Sequence, residues 1–143
     1  MEKVTKAQVI DNLTVEWTEW RKRMVSLSEE SGKSYCTRQG FPGRIALVAH
    51  IVAWWDDACK NIARLRDHPE WKPPDQDVDA FNADVVKASA GKSLPEVVAE
   101  FEMARTRLLQ LVAALDEGDL ENPEIQKELF WDVTNHYRDH RIE

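Results

Sequence analysis

The chain has four histidines, and three of them, His50, His136 and His140, have the residue type and spacing to hold a divalent metal ion. His136 and His140 are four residues apart, so on a helix their imidazoles leave one face a turn apart, the spacing with which helical pairs chelate zinc. No HExxH segment is present, and a third ligand must come from elsewhere in the chain. His50 is the candidate, because His68 precedes Pro69 in a predicted loop with no partner at ligand spacing. Three neutral imidazoles leave a divalent ion its full charge and an open position, as in catalytic rather than structural sites. Such an ion activates water or a thiolate, or polarises a carbonyl. Protons competing for imidazole should displace it below about pH 6.

The elements that position these rings follow from caps and periodicity. Asn122-Pro123 opens a helix, with Asn as N-cap and Pro at the first position, where its missing N–H costs nothing. Ile125, Leu129 and Val133 recur every fourth residue, and at about 100° per residue the same stripe runs on through His136 and His140. Both imidazoles therefore occupy core positions, where a polar atom without a partner costs on the order of 1–3 kcal/mol. His50 lies in a predicted helix over residues 44–66, whose apolar face carries Leu47, Ile51, Trp54, Trp55, Ala58, Ile62 and Leu65. It flanks that face beside Trp54, an edge that lines clefts between packed helices.

Asp132, near His136 on its stripe, and Asp57, seven residues after His50, are candidates to orient an imidazole or act as a base, against the commoner role of solvated helix carboxylates. Trp54 is a candidate wall of a substrate pocket and Asn82 a candidate ligand contact, with a packing Trp and a turn-forming Asn as the competing readings. Tyr137 points away from the metal direction and reads as structural. Cys59 lies on the opposite side of its helix from His50 and reads as a packed thiol, not a nucleophile. Cys36 falls in a connection and is expected to be exposed.

Two further long helices are predicted. The first opens with a Thr5–Gln8 capping box, carries Val9, Leu13, Trp17, Trp20, Met24 and Leu27, and stops near Ser31-Gly32. Residues 33–43 are expected to connect it to the His50 helix through Phe41-Pro42-Gly43. After a break at His68-Pro69, a long crossover carries a short helix over residues 79–90, ended by Gly91. Ser93-Leu94-Pro95-Glu96 reads as a second capping box, launching Val97, Phe101, Ala104, Leu108, Leu111 and Leu115; a turn at Glu117-Gly118-Asp119 precedes the last helix. The expectation is one all-α domain over residues 1–143, a four-helix bundle with the extra helix in the crossover between helices 2 and 3.

At 143 residues the chain buries enough surface to fold without a structural metal or disulfide, so an ion here would serve chemistry. A net charge of −7 and a pI near 5.1 oppose binding to nucleic acid or an anionic membrane surface. No apolar run reaches the ~20 residues of a membrane span, and the first residues lack a signal-peptide core, so a cytoplasmic location is expected. Six tryptophans, with exposed ones sought among Trp17, Trp20, Trp71 and Trp131, make an apolar patch and a homodimer the expectation for self-association.

The segment Leu47-Val48-Ala49-His50-Ile51-Val52-Ala53-Trp54-Trp55, the pair in His136-Tyr137-Arg138-Asp139-His140 and the intervening Asp79-Ala80-Phe81-Asn82 resemble the DinB/YfiT-like superfamily of four-helix bundles, most closely its ClbS/DfsB self-resistance group. The resemblance implies nickel, zinc or a similar ion held by residues matching His50, His136 and His140. It also implies activities ranging from transferases and isomerases that use low-molecular-weight thiols such as mycothiol or bacillithiol to hydrolases. The self-resistance group implies a hydrolase of a reactive cyclopropane metabolite. Phe41-Pro42-Gly43 stands where relatives carry a Trp-Ser pair, and His140 falls in a last helical turn where fraying is expected. Two readings stay open: a metal-dependent enzyme acting on a small electrophile, and a metal-free bundle that binds or detoxifies a reactive small molecule.

Overall fold

A computed structural model describes residues 1–143, and every regular element is a helix. Helix α1 spans residues 6–26 and opens with the reciprocal Thr5–Gln8 capping box. Its inner face buries Val9, Leu13, Trp17, Trp20 and Met24. Within it, Asn12–Glu16 forms a π turn, closed by the Trp17 N–H on the Asn12 carbonyl.

The chain then departs from the expected connection. Ser28 caps a separate helix, α2, Glu29–Arg38, with Glu29 and Glu30 in its first turn where the helix dipole favours acids. Gly32 lies inside α2 instead of ending α1; a β-carbon there would sit 3.1 Å from the Arg44 Nε. That close approach lets the Arg44 guanidinium donate to the Leu27 carbonyl at 2.9 Å and close the end of α1. The inner face of α2 carries Tyr35 and Cys36, so the Cys36 thiol is packed in the core and not exposed. Gly40, at φ 87°, turns the backbone so that Phe41 leads into the next helix.

Helix α3 is Arg44–Asp67, α4 in the crossover is Val78–Ser89 and α5 is Leu94–Ala114. Ser93 caps α5 by accepting the Glu96 N–H, while the Glu96 carboxylate accepts the Ser93 hydroxyl instead of completing a capping box. The expected turn at Glu117 is a short helix, α6, Glu117–Glu121, because Asp116 and Asp119 form a capping box of their own. Helix α7 covers residues 123–140 and contains a second π turn, Phe130–Thr134.

The four long helices form a closed bundle: α3 packs on α5, α5 on α1, α1 on α7 and α7 back on α3, with α4 laid against α3. The centre is aromatic. The Trp17 ring meets Trp20, Trp55 and Phe101 with centroids 5.3, 5.0 and 6.2 Å away. Trp17 and Trp20 are therefore buried, Trp71 is half-buried under the Arg64 guanidinium, and Trp131 alone of the six is exposed, which reduces the expected tryptophan patch to one residue. No helix is long and apolar enough to cross a membrane.

Candidate metal centre

His50 from α3 and His136 and His140 from α7 converge inside the bundle, with one ligand nitrogen from each lying within 4.8 Å of the others. All three residues are buried. The His50 Nε2 is 2.9 Å from the His136 Nε2 and 3.2 Å from the His140 Nε2. His50 is buried, with the Phe41 ring centroid 4.6 Å from its own, and it lines a cleft as expected of its place beside Trp54.

The outer nitrogens decide what the inner ones are. The His136 Nδ1 faces the Asp132 backbone carbonyl at 3.2 Å, an acceptor only, so Nδ1 carries the proton and donates it. The His50 Nδ1 faces the Asn82 Oδ1 at 3.0 Å, and the same oxygen accepts the Trp54 Nε1–H at 2.9 Å. An indole N–H only donates, so the amide atom between them is the oxygen and His50 also carries its proton on Nδ1. The His140 Nδ1 meets the Gln39 Oε1 at 2.8 Å. Two Nε2 lone pairs, those of His50 and His136, thus face each other at hydrogen-bond distance with no proton between them.

A proton could relieve that repulsion only by burying an imidazolium, and burial works against it. Desolvation lowers the pKa of His50 to about 4 and of His140 to about 3, and holds His136 well below the usual 6.5, reinforced for His136 by its two neighbours. Three neutral nitrogen donors aimed at one point suit a divalent metal cation.

Sequence reasoning named Asn82 and Asp132, the latter for its carboxylate and not its backbone carbonyl, but did not find the other groups that hold these rings. The Asp132 carbonyl also accepts the Trp55 Nε1–H at 2.8 Å, and the Val133 carbonyl accepts the Trp17 Nε1–H at 3.2 Å, so the π turn of α7 is pinned by two indoles. The last turn is held as well: the His140 carbonyl accepts the Trp20 Nε1–H at 2.8 Å and the Tyr35 hydroxyl. The expected fraying of His140 is thus opposed by donors from α1 and α2. The only advance signal for Gln39 was its place beside Gly40; for Trp20 and Tyr35, contacts this far apart in sequence leave none.

A cavity of about 390 Å³ opens beside the imidazoles, lined by Trp54, Asn82, Trp131, Asp132 and Asp139 among others. Trp54 is braced by Phe81, ring centroids 4.2 Å apart. Asn82 also lines the cavity, but its amide oxygen is engaged with His50 and Trp54. The Asp132 side chain shares a cavity wall with Glu128, and burial, then the Glu128 charge, pushes its carboxyl well above the usual range. Asp57 stands one cavity away, accepting from Asn61 and Gln76 at 3.3 and 3.4 Å.

These shifts predict opposing acid responses in the metal-free protein. The folded histidine pKa values lie below the unfolded ~6.5, so stability present above that pH falls as the pH drops toward 4. The Asp132 shift has the opposite sign: the folded state holds that proton more tightly, which offsets the loss. Asp132→Asn should therefore steepen the decline in urea midpoint between about pH 6.5 and 5; an unchanged slope would contradict the assignment.

No curated protein and no solved structure matches the chain. The family model of the DinB superfamily matches residues 9–141, a span that holds the whole three-histidine cluster and both helices, α3 and α7, that supply it. With nearly the full length matched, the chain belongs to the DinB superfamily.

Proposed function

We propose that this protein is a metal-dependent enzyme acting on a small electrophilic molecule, by hydrolysis or by transfer to a low-molecular-weight thiol. The observation that carries the reading is the pair of unprotonated Nε2 atoms of His50 and His136 at 2.9 Å, joined by the His140 Nε2 beside an open cavity. Held by these three residues, a nickel or zinc ion would supply Lewis-acid activation of water, a thiol or a carbonyl. The chain's own part is orientation. Asn82, the Asp132 carbonyl and Gln39 each take an Nδ1–H and fix the direction of one imidazole.

In this reading the Asp132 carboxyl, on the cavity wall, exchanges a proton with the bound molecule. Asp57 tunes the Glu128–Asp132 pair by its charge and does not touch the reacting atoms. Trp54 forms the apolar wall against which the molecule lies, and Asn82 acts on it through His50.

Removing an orienting partner should weaken the site without emptying it. Asn82→Ala and Gln39→Ala are each expected to lower ion affinity about 10–100-fold, measured by competition with a chromophoric chelator. An effect below about twofold for both would show that the rings are held by packing alone.

The reading is tested by incubating the zinc- or nickel-loaded protein with small epoxides and activated cyclopropanes, with and without a low-molecular-weight thiol. Consumption that requires the ion and disappears in His136→Ala is expected. Equal consumption by metal-free protein would favour the binding or detoxifying bundle instead.

A further inference from the structure

The cavity over the three imidazoles has a distinct charge and shape. Beyond the histidines, its only ionisable lining groups are Asp132 and Asp139, and no Lys or Arg contributes to it. The adjoining cavity, which shares Trp54, Trp131 and Asp132, adds Asp57, Asp75, Glu124 and Glu128 against one cation, Lys127. That lysine is engaged with Glu124 at 3.3 Å. Asp57, Asp75, Glu128, Asp132 and Asp139 enter no ion pair; the Asp139 carboxylate has only the Asn135 amide, at 3.2 Å.

Between the two cavities stands Trp131, 54% exposed and set edge-on against Phe130 with ring centroids 4.8 Å apart. The indole is exposed where it lines both cavities, within reach of a ligand in either. Asp132 and Glu128 hold their protons more tightly than ordinary carboxylates, so the negative charge here comes chiefly from Asp139, Asp57 and Asp75; an indole beside carboxylates that enter no ion pair is the pairing that recognises an organic cation.

We propose that the site selects a small molecule bearing an ammonium or amidinium group on an apolar body, with that group against Trp131 and Asp139 and the reacting centre toward the imidazoles. The inference deepens the enzyme reading and rests on it only for where the reacting centre lies.

Three probes of similar size separate charge from metal ligation, because none has a strongly ligating end: benzyltrimethylammonium, benzyl alcohol and benzenesulfonate. Binding is measured by calorimetry and by the shift of the Trp131 indole N–H resonance, on the full chain, metal-free and zinc-loaded. In the metal-free form the cation is expected to bind about tenfold more tightly than the sulfonate, with the alcohol between them, and the charge of a bound zinc ion should narrow that ratio. Asp139→Asn and Trp131→Ala, both at exposed positions, should each reduce that ratio about threefold or more. Equal binding or a preference for the sulfonate in the metal-free form, or a ratio unmoved by both variants, would overturn the proposal. If zinc fails to load, the enzyme reading falls, while the metal-free titration alone still decides the preference for cations.

Discussion

Replacing His136 by alanine is expected to leave the protein unable to retain a divalent ion while keeping it folded. The ring supplies one of three donors, and its loss removes roughly a third of binding energies on the order of 10–16 kcal/mol, which lowers affinity by hundreds to thousands of fold. His50→Ala should act alike, because its Nε2 is the atom nearest both partners. The substitution also removes the facing lone pairs, so the metal-free variant should match or exceed the metal-free parent in stability wherever packing around Trp17 permits. Such a result, ion lost and fold kept, separates a functional cluster from one needed for the core. Full retention of the ion would place the metal elsewhere.

The second large effect lies one layer behind the ligands. Trp17 is fully buried, touches His136 and Tyr137 with ring centroids 5.9 and 5.6 Å away, and donates to the Val133 carbonyl. Trp17→Ala should cost about 3–5 kcal/mol in urea unfolding through the cavity it leaves, with a further ~1 kcal/mol or more for the deserted carbonyl. Trp17→Phe fills most of the space and isolates the carbonyl, so it should cost about 1–2 kcal/mol. Because the indole pins the π turn that aims His136, both variants should lose ion affinity as well. A Trp17→Ala protein as stable as the parent would show that the bundle centre lies elsewhere.

Much of this arrangement was legible before any coordinates. The Asn122-Pro123 start, the apolar stripe through Ile125, Leu129 and Val133, and the two histidines that continue it follow from caps and spacing, and the structure buries all five side chains. The extrapolation at about 100° per residue crosses a π turn it could not anticipate, because such a turn carries no residue-type signature. It succeeds because His136 and His140 lie together beyond the π turn and keep their own spacing. The misreading of residues 29–38 had a different cause. By residue type Ser31-Gly32 reads as a helix stop, whereas the stronger signal is Ser28 followed by two glutamates, and Gly32 serves a close approach by Arg44.

That misreading hid Tyr35, which takes part in holding His140, and Gln39, which orients its ring. For Asn82, the sequence pointed to the right residue near the site and to a ligand contact. The coordinates show the amide bonded to His50 and Trp54, a difference that turns on one oxygen between two donors.

The central claim is that three imidazoles share one ion. The most direct test is elemental analysis, with X-ray absorption at the metal edge, of protein produced without a polyhistidine tag and purified without chelator. About one divalent ion per chain is expected, with an imidazole signature of three nitrogens, absent from His136→Ala. A native protein that is metal-free and takes up no nickel, zinc or manganese at about pH 7.5 would contradict it.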